Sequence, residues 1–424
     1  RQLRAHGAVP EFIDLEFELA EALGTDELDW SRVICSHHDF SGAMKDLATL
    51  YERLARTPAR VIKIAVTAND ALDCLPLFHL LERAQQEQRE LIAIAMGTSG
   101  IATRLLARGS FLTYASLERG SGTAPGQVWI EELIASYRVR SIERRTPVYG
   151  VVGAPIGHSL SPAMHNRALI ESGLQGVYVP FETRDVRAFV HRLVRPRTRE
   201  VDWAWRGLSV TAPYKESIIE CLDEVDEVAE QTGAVNTVVV RGDELRGYNT
   251  DAEGFLAPLR GLLDLDSARA AIIGAGGAAR AAAWALRRAG AEVVLFARSP
   301  ERARPLARPL DVEVAQVVGA RFSSFDLVVN ATPLGTRGAH EDASPVDAEQ
   351  LRGARIAYDM VYNPPETLFI RQARQVGCRI VGGLSMLVEQ AARQFELWTG
   401  RSAPRRAMLE AAQQALGQSA TRNH

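Results

Sequence analysis

ARAAIIGAGGAARAAAWALRRAGAEVVLFARS, residues Ala268–Ser299, is the stretch whose reading decides the fold. An apolar run, AAIIG, stops where Gly274, Gly276 and Ala279 satisfy the spacing GxGxx(G/A), and an alanine-rich helical run follows at once. Strand, tight small-residue turn and helix in that order suit a pyrophosphate: the backbone can approach it closely, and the helix N-terminus offers free amides and a positive dipole end. The reading predicts a dinucleotide-binding Rossmann lobe. The following strand, AEVVLFARSPERA, ends without the Asp or Glu that would hold the ribose hydroxyls of NAD; Ala297, Arg298, Ser299 and Arg302 stand there instead. Two guanidiniums and a hydroxyl suit a 2′-phosphate, so NADP(H) is the expected cofactor.

Outward from this lobe, a chain of 424 residues is too long for one ordinary core and predicts two or three domains. Hydrophobic content of 46% and charged content of 24% describe a globular protein, and a net charge of −3 gives no reason to expect nucleic acid or an anionic membrane as partner. No apolar run approaches the ~18 residues of a membrane span. Cys35, Cys74, Cys221 and Cys378 are far apart and form no metal-ligand cluster, which predicts no metal and a reducing, cytoplasmic setting. In the first 140 residues the apolar runs FIDLEFEL, RVICS, RVIKIAV, LIAIAM and SFLTYAS alternate with amphipathic stretches such as ALDCLPLFHLLERAQQ. This predicts five strands of parallel β/α architecture, where a closed (β/α)8 barrel needs eight. SIERRTP, Ser141–Pro147, reads as a charged linker. A second α/β unit opens at YGVVGAPIGHSLSPAMHNRAL, and amphipathic helix returns from Met386 onward.

The lysines narrow the chemistry. Of 49 Lys and Arg residues only Lys45, Lys63 and Lys215 are lysine. Arg cannot give up its proton or form a Schiff base, whereas a desolvated Lys does both. Lys45, in the helical-looking GAMKDLATLYERLAR, reads as surface. Lys63 interrupts an apolar strand, and Lys215, in GLSVTAPYKESI, follows Pro213 on a loop at a strand end.

Together with GHSLSPAMHN, GAVNTVV, GYNTDAEGF, DMVYNP and GGLSMLVEQAARQFELWTG, the GLSVTAPYKESI segment resembles the shikimate dehydrogenases from Pro147 to about Leu416. The resemblance implies that Lys215 and Asp251 are the catalytic pair. It implies that Ser159, Ser161 and Tyr362 contact the substrate carboxylate and ring, and that Thr211, Asn236 and Gln390 hold hydroxyls. In the cofactor lobe it implies a phosphate loop from Gly274 to Arg280, with Gly274, Ala275, Gly276, Gly277, Ala278 and Ala279 as the coenzyme contacts. Arg298, Ser299 and Arg302 then form the 2′-phosphate clamp, and Thr332, Met360 and Gly383 surround the nicotinamide. SVT replaces the commoner NVT. Taken alone, Asp251 after Thr250 reads equally well as an Asx turn or a helix N-cap; the flanking GYNTD and the other motifs favour the catalytic role. Reduction of a ketone develops negative charge on oxygen, which a nearby ammonium stabilises or protonates.

His38, in SHHDF, lies one strand-plus-helix repeat before Lys63, so both side chains are expected at one barrel rim. With AMGTSGIATR and GTAPGQV, the set resembles type I 3-dehydroquinate dehydratases. This implies Lys63 as Schiff-base residue, His38 as general acid/base, Arg104 as carboxylate ligand, and Thr123 and Gln127 on a closing loop. The resemblance covers the later part of that barrel, and the chain begins RQLRAHGAVPEF without Met, so upstream strands are expected to be missing and dehydratase activity to be small. The expected organisation is a partial dehydratase barrel over 1–140 and a substrate-binding lobe over 147–250 completed by helices 386–424. A Rossmann lobe spans 251–385. The expected partners are small-molecule substrates. Rival readings are an NAD-linked quinate/shikimate dehydrogenase and a non-catalytic metabolite sensor.

Overall fold

The computed structural model describes residues 10–420 except 43–45, 119 and 121, so Lys45 lies outside the described residues. The chain divides into two compact units, one of residues 1–158 and 176–205, the other of residues 159–175 and 206–424.

In the first unit, β1 (Ile13–Glu16), β2 (Val33–Asp39), β3 (Val61–Thr67) and β4 (Glu90–Met96) form a parallel sheet in that order. β3 and β4 are apolar without alternation because both faces are covered, as parallel crossovers require. The crossover helices are Leu47–Ala55 and Leu75–Gln86. Asp46 accepts from the amide of Thr49, and Asp70 and Asp73 form a capping box ahead of the second helix. The expected fifth strand, SFLTYAS, is not one: only its two ends make isolated bridges, Ser110 to Leu91, with the Phe111 amide donating to the Leu91 carbonyl at 2.9 Å, and Ser116 to Trp129. β-branched and aromatic content produced that expectation, but two isolated bridges to different neighbours do not make a ladder.

β5 (Pro147–Gly153) and β6 (Val177–Glu182) pair in parallel within the same unit. They share a core with the preceding segment. Phe78 meets Trp203 edge-on at 5.0 Å, and Phe181 of β6 lies 6.0 Å from Trp203 and 5.3 Å from Trp205. All four rings are buried. The Asp70 carboxylate, besides capping, accepts from the Thr183 hydroxyl at 3.0 Å and the Arg184 amide at 2.6 Å. SIERRTP is therefore short and turned, with the Glu143 amide donating to the Thr146 hydroxyl at 2.7 Å. Phe78→Ala is expected to cost about 3 kcal/mol through the cavity it opens beside Trp203; the shift in urea midpoint followed by tryptophan fluorescence measures it.

In the second unit, β7 (Ala204–Val210) pairs antiparallel with β9 (Thr237–Arg241), β9 antiparallel with β10 (Glu244–Tyr248), and β10 parallel with β8 (Glu224–Val225). A further sheet is wholly parallel. It contains β11 (Arg269–Ile273), β12 (Glu292–Ala297), β13 (Glu313–Gln316), β14 (Leu327–Asn330), β15 (Ile356–Asp359) and β16 (Arg379–Gly382), in the order β13-β12-β11-β14-β15-β16. That is the doubly wound Rossmann order, with its switch point between β11 and β14. The helix Gly277–Arg288 leaves β11 there and buries an alanine face against the sheet. The late helix begins at Gly383, three residues before the expected Met386. It packs against the helix Asp251–Leu256 so tightly that a Cβ on Gly254 would lie 2.7 Å from Cβ of Gln390. Among the described residues no helix is long and apolar enough to cross a membrane, and no group of three or more His, Cys, Asp or Glu is placed to hold a metal.

Candidate active site

β7 ends in a turn, with the Tyr214 amide donating to the Thr211 carbonyl at 3.0 Å, that delivers Lys215. The Lys215 carbonyl accepts from the Val235 amide at 2.7 Å, which fixes its backbone. Its ammonium donates to Oδ2 of Asp251 at 2.6 Å. The competing capping role of Asp251 is taken by its neighbours: Thr250 occupies the cap position and the Asn249 side chain accepts from the Asp251 amide at 3.0 Å. Oδ1 of Asp251 accepts from Nδ2 of Asn236 at 2.8 Å, and Oδ1 of Asn236 accepts from the Thr250 amide at 2.8 Å. The Thr250 hydroxyl donates to the Gln390 carbonyl at 3.1 Å, and Nδ2 of Asn236 lies 3.4 Å from Oε1 of Gln390. Asp251 and Asn236 are 5% and 2% exposed. A buried carboxylate is tolerable here because one oxygen has an ammonium partner and the other an amide donor.

The structure thus brings Lys215, Asp251, Asn236 and Gln390 into one network. Thr250 belongs to it and was missed, although it stands inside the quoted GYNTD. Ser159 and Ser161 open the helix Ser161–Glu171, with the Ser161 amide donating to Oγ of Ser159 at 3.3 Å. Tyr362 follows β15, and burial pushes its phenol up. The serine of SVT, Ser209, is buried and donates to Oε1 of Gln394 at 2.7 Å; Nε2 of Gln394 in turn donates to the Asn236 carbonyl at 3.1 Å. The residue that departs from the commoner motif therefore buttresses Asn236 from behind.

In the dinucleotide lobe, Gly274 has φ +123°, and a Cβ there would lie 3.0 Å from the Ala331 carbonyl oxygen. Gly276 caps the helix Gly277–Arg288 and faces open space. Ala275 precedes the cap, while Ala278 and Ala279 lie in the first turn, Ala279 fully buried. At the ends of β14, β15 and β16 three predicted residues converge. Thr332 donates from both its amide, at 3.0 Å, and its hydroxyl, at 2.7 Å, to Oδ1 of Asn330. The Met360 amide donates to the Asn330 carbonyl at 3.0 Å, and a Cβ on Gly383 would lie 2.5 Å from the Met360 carbonyl oxygen. Arg298, Ser299 and Arg302 are exposed after β12, and among the described residues neither guanidinium has an ion-pair partner.

Asn330 also donates to Asp359 at 3.0 Å, and the Asp359 carboxylate is fully buried. Burial pushes it up to about 6, against the opposing pull of Thr367, Val361 and Asn330. A carboxyl raised in the folded state contributes stability below its unfolded value of about 3.8 and loses it as pH rises through 6. Wild type is expected to lose up to about 3 kcal/mol between pH 4 and pH 7 relative to the Asp359→Asn variant. Urea midpoints of both across that range measure the difference in slope.

In the first unit, the Lys63 ammonium donates to Oδ2 of Asp14 at 2.8 Å and lies 4.4 Å from the centre of the Tyr114 ring. Lys63 is 7% exposed. In the β2–β3 register Lys63 is opposite Ser36 and His38 opposite Ala65, so Lys63 and His38 share a sheet face. Nδ1 of His38 bonds Glu16. Asp14 and Glu16 were missed, although two carboxylates at i and i+2 in FIDLEFEL were the signal for one acidic strand face. Arg104 is buried, donates to the Tyr114 carbonyl at 3.0 Å, and has no carboxylate partner among the described residues. Burial lowers its guanidinium to about 10. The Thr123 amide donates to Oε1 of Gln127 at 2.8 Å, and this loop folds onto the turn after β4 through the Gly97 amide and the Pro125 carbonyl, 3.0 Å apart.

Fold and site together define a class: an α/β oxidoreductase with a Rossmann sheet and a half-buried lysine paired with a buried aspartate, preceded by a parallel β/α segment with a buried lysine of its own. Family models match in the same order: type I 3-dehydroquinase over residues 2–144 and the shikimate dehydrogenase substrate binding domain over 151–238, then NADP oxidoreductase coenzyme F420-dependent over 269–337 and the shikimate 5′-dehydrogenase C-terminal domain over 383–413. The chain belongs to the family of bifunctional 3-dehydroquinate dehydratase/shikimate dehydrogenases. The chloroplastic protein of that description from Arabidopsis thaliana is 32% identical over 430 residues, spanning 93% of this chain and 68% of the relative. An NADP(+) shikimate dehydrogenase from Methanopyrus kandleri is 41% identical over 64% of this chain and 96% of its own. Among solved structures, shikimate 5-dehydrogenase from Thermus thermophilus in complex with NADP(H) and shikimate matches with a TM-score of 0.58 and 40% identity, over 63% of this chain and 99% of its own. Quinate dehydrogenase from Corynebacterium glutamicum in complex with NAD matches with 0.57 and 30%, over 63% and 99%.

Proposed function

We propose that the chain reduces 3-dehydroshikimate to shikimate with NADPH, using Lys215 and Asp251, and that its first segment carries Schiff-base dehydratase machinery for 3-dehydroquinate. The observation that carries this reading is the 2.6 Å contact between Lys215 and Asp251 inside a buried network. The residues present fit a dinucleotide: a side chain at Gly274 would fill the turn, Gly276 leaves space before a helix N-terminus, and Arg298 and Arg302 stand without ion-pair partners among the described residues. Gly274 to Ala279 would hold the pyrophosphate, Arg298, Ser299 and Arg302 the 2′-phosphate, and Thr332, Met360 and Gly383 the nicotinamide. When bound, the coenzyme supplies the hydride.

The remaining work belongs to the chain. Lys215 meets the substrate oxygen as negative charge develops there and, with Asp251, delivers its proton. Asn236 orients Asp251, so the ammonium has one direction in which to point. Ser159, Ser161 and Tyr362 receive the substrate carboxylate and ring, and Thr211 and Gln390, with Asn236, its hydroxyls. The substrate-binding lobe is residues 147–250 with the described helical residues from 386 to 420, and the Rossmann lobe is residues 251–385.

In the first segment Lys63 condenses with the substrate ketone, expelling water, while His38, oriented by Glu16, moves the proton for elimination. Arg104 suits the substrate carboxylate because it is a buried cation lacking an anion among the described residues. Thr123 and Gln127 lie on the covering loop. This segment is part of a (β/α)8 barrel, and among the described residues its four strands are an open sheet rather than a closed barrel. The chain as it stands is therefore expected to dehydrate 3-dehydroquinate little or not at all while reducing 3-dehydroshikimate readily. Following enone absorbance with 3-dehydroquinate, and coenzyme absorbance with 3-dehydroshikimate, tests both halves; rapid dehydration contradicts the first statement and an inert reductase the second.

A further inference from the structure

Arg280 is a cation where a helix least favours one. It is the fourth residue of the helix Gly277–Arg288, close to the positive end of the helix dipole, yet it is only 7% exposed. Its Nε has no hydrogen-bond partner among the described residues. Its Nη2 donates to Glu216, the residue after Lys215, whose side chain is 65% exposed. An anion beside a buried guanidinium offsets the cost of its burial, and Glu216 is that anion. The same helix turn is seated on the segment that fixes the lysine. Nη1 of Arg280 would lie 3.5 Å from a Cβ on Gly233, a Cβ on Gly277 would lie 3.6 Å from Cβ of Ala234, and the next amide, of Val235, bonds the Lys215 carbonyl.

We propose that Arg280 and Glu216 are positioning residues: their ion pair ties the first turn after the dinucleotide phosphate loop to the backbone of Lys215, so that the ammonium is held on Asp251 in register with the coenzyme. The inference rests on the reductase reading above and deepens it. Neither residue touches the substrate. A solvent-facing glutamate would be expendable if its only role were solubility; as a latch it sets where Lys215 points. Releasing it leaves Arg280 as a buried cation beside the phosphate loop, which favours a polyanionic coenzyme. The pair therefore acts on turnover and not on coenzyme affinity.

The experiment uses the full chain, with shikimate and NADP+ for turnover and NADPH fluorescence for binding. Glu216→Gln is expected to lower kcat about tenfold, leave KM for shikimate unchanged, lower the melting temperature because Arg280 keeps its charge without an anion, and leave NADPH affinity equal or tighter. Glu216→Asp should recover part of the loss. In a double-mutant cycle with Arg280→Met, the double variant should be no slower than the slower single variant; Arg280→Lys, which keeps the charge, supplies the cycle if Arg280→Met does not fold. Wild-type kcat in Glu216→Gln, or losses that multiply in the double variant, overturn the latch while leaving the reductase reading intact. Absence of wild-type shikimate oxidation overturns both.

Discussion

Lys215→Ala is expected to lower kcat for shikimate oxidation about a thousandfold while NADPH binding stays within about twofold of wild type. The magnitude is that of a positioned proton donor that also stabilises developing charge. The split between turnover and binding follows from place: Lys215 stands after the end of β7, whereas the proposed coenzyme contacts lie after β11, β12, β14, β15 and β16. Lys215→Arg should recover little, because guanidinium keeps its proton. The removed ammonium also leaves Asp251 buried with only Asn236 as donor, so Lys215→Ala should lose some thermal stability. Steady-state rates with fluorescence titration of NADPH measure both quantities, and a loss of kcat below tenfold would show that another group supplies the proton.

The second large effect concerns the choice of coenzyme. Replacing both Arg298 and Arg302 by Ala should lower kcat/KM with NADPH about a hundredfold and leave the rate with NADH within about threefold. Two charge-assisted hydrogen bonds at about 1.5 kcal/mol each give about 3 kcal/mol, or two decades in affinity. Both guanidiniums are exposed and without an ion-pair partner among the described residues, so neither has a structural duty that would confuse the result. The rival reading, an NAD-linked quinate/shikimate enzyme, predicts instead that wild type prefers NADH and that the substitutions change little.

What the sequence made legible was whatever depends on short-range spacing. Gly274, Gly276 and Ala279 announce a strand–turn–helix, in which Gly274 takes a positive φ and passes under the Ala331 carbonyl where a Cβ would lie 3.0 Å from the oxygen. Lys215 and Asp251 are 36 positions apart, and no local rule joins them. Their meeting was expected only through the motifs around them, and it depends on Asn249 and Thr250 taking over the capping role. What stayed hidden was pairing across elements. Asp14 and Glu16 read as ordinary polar positions of FIDLEFEL until the parallel register set that strand beside β2 and, beyond it, β3, which bears Lys63. Arg280 was legible as the end of the phosphate loop but its pairing was not, since its partner Glu216 lies 64 positions earlier. SFLTYAS was over-read because strand propensity measures fit to a pleated surface and not the presence of a second bonded neighbour.

The central claim is that the Lys215–Asp251 pair transfers a proton in step with coenzyme oxidation. The most direct measurement is the near-ultraviolet absorbance of NADPH mixed with the purified chain and 3-dehydroshikimate. It should decay to completion in wild type and stay constant in Lys215→Ala. A flat trace in wild type, with binding of both compounds demonstrated by fluorescence and calorimetry, would contradict it.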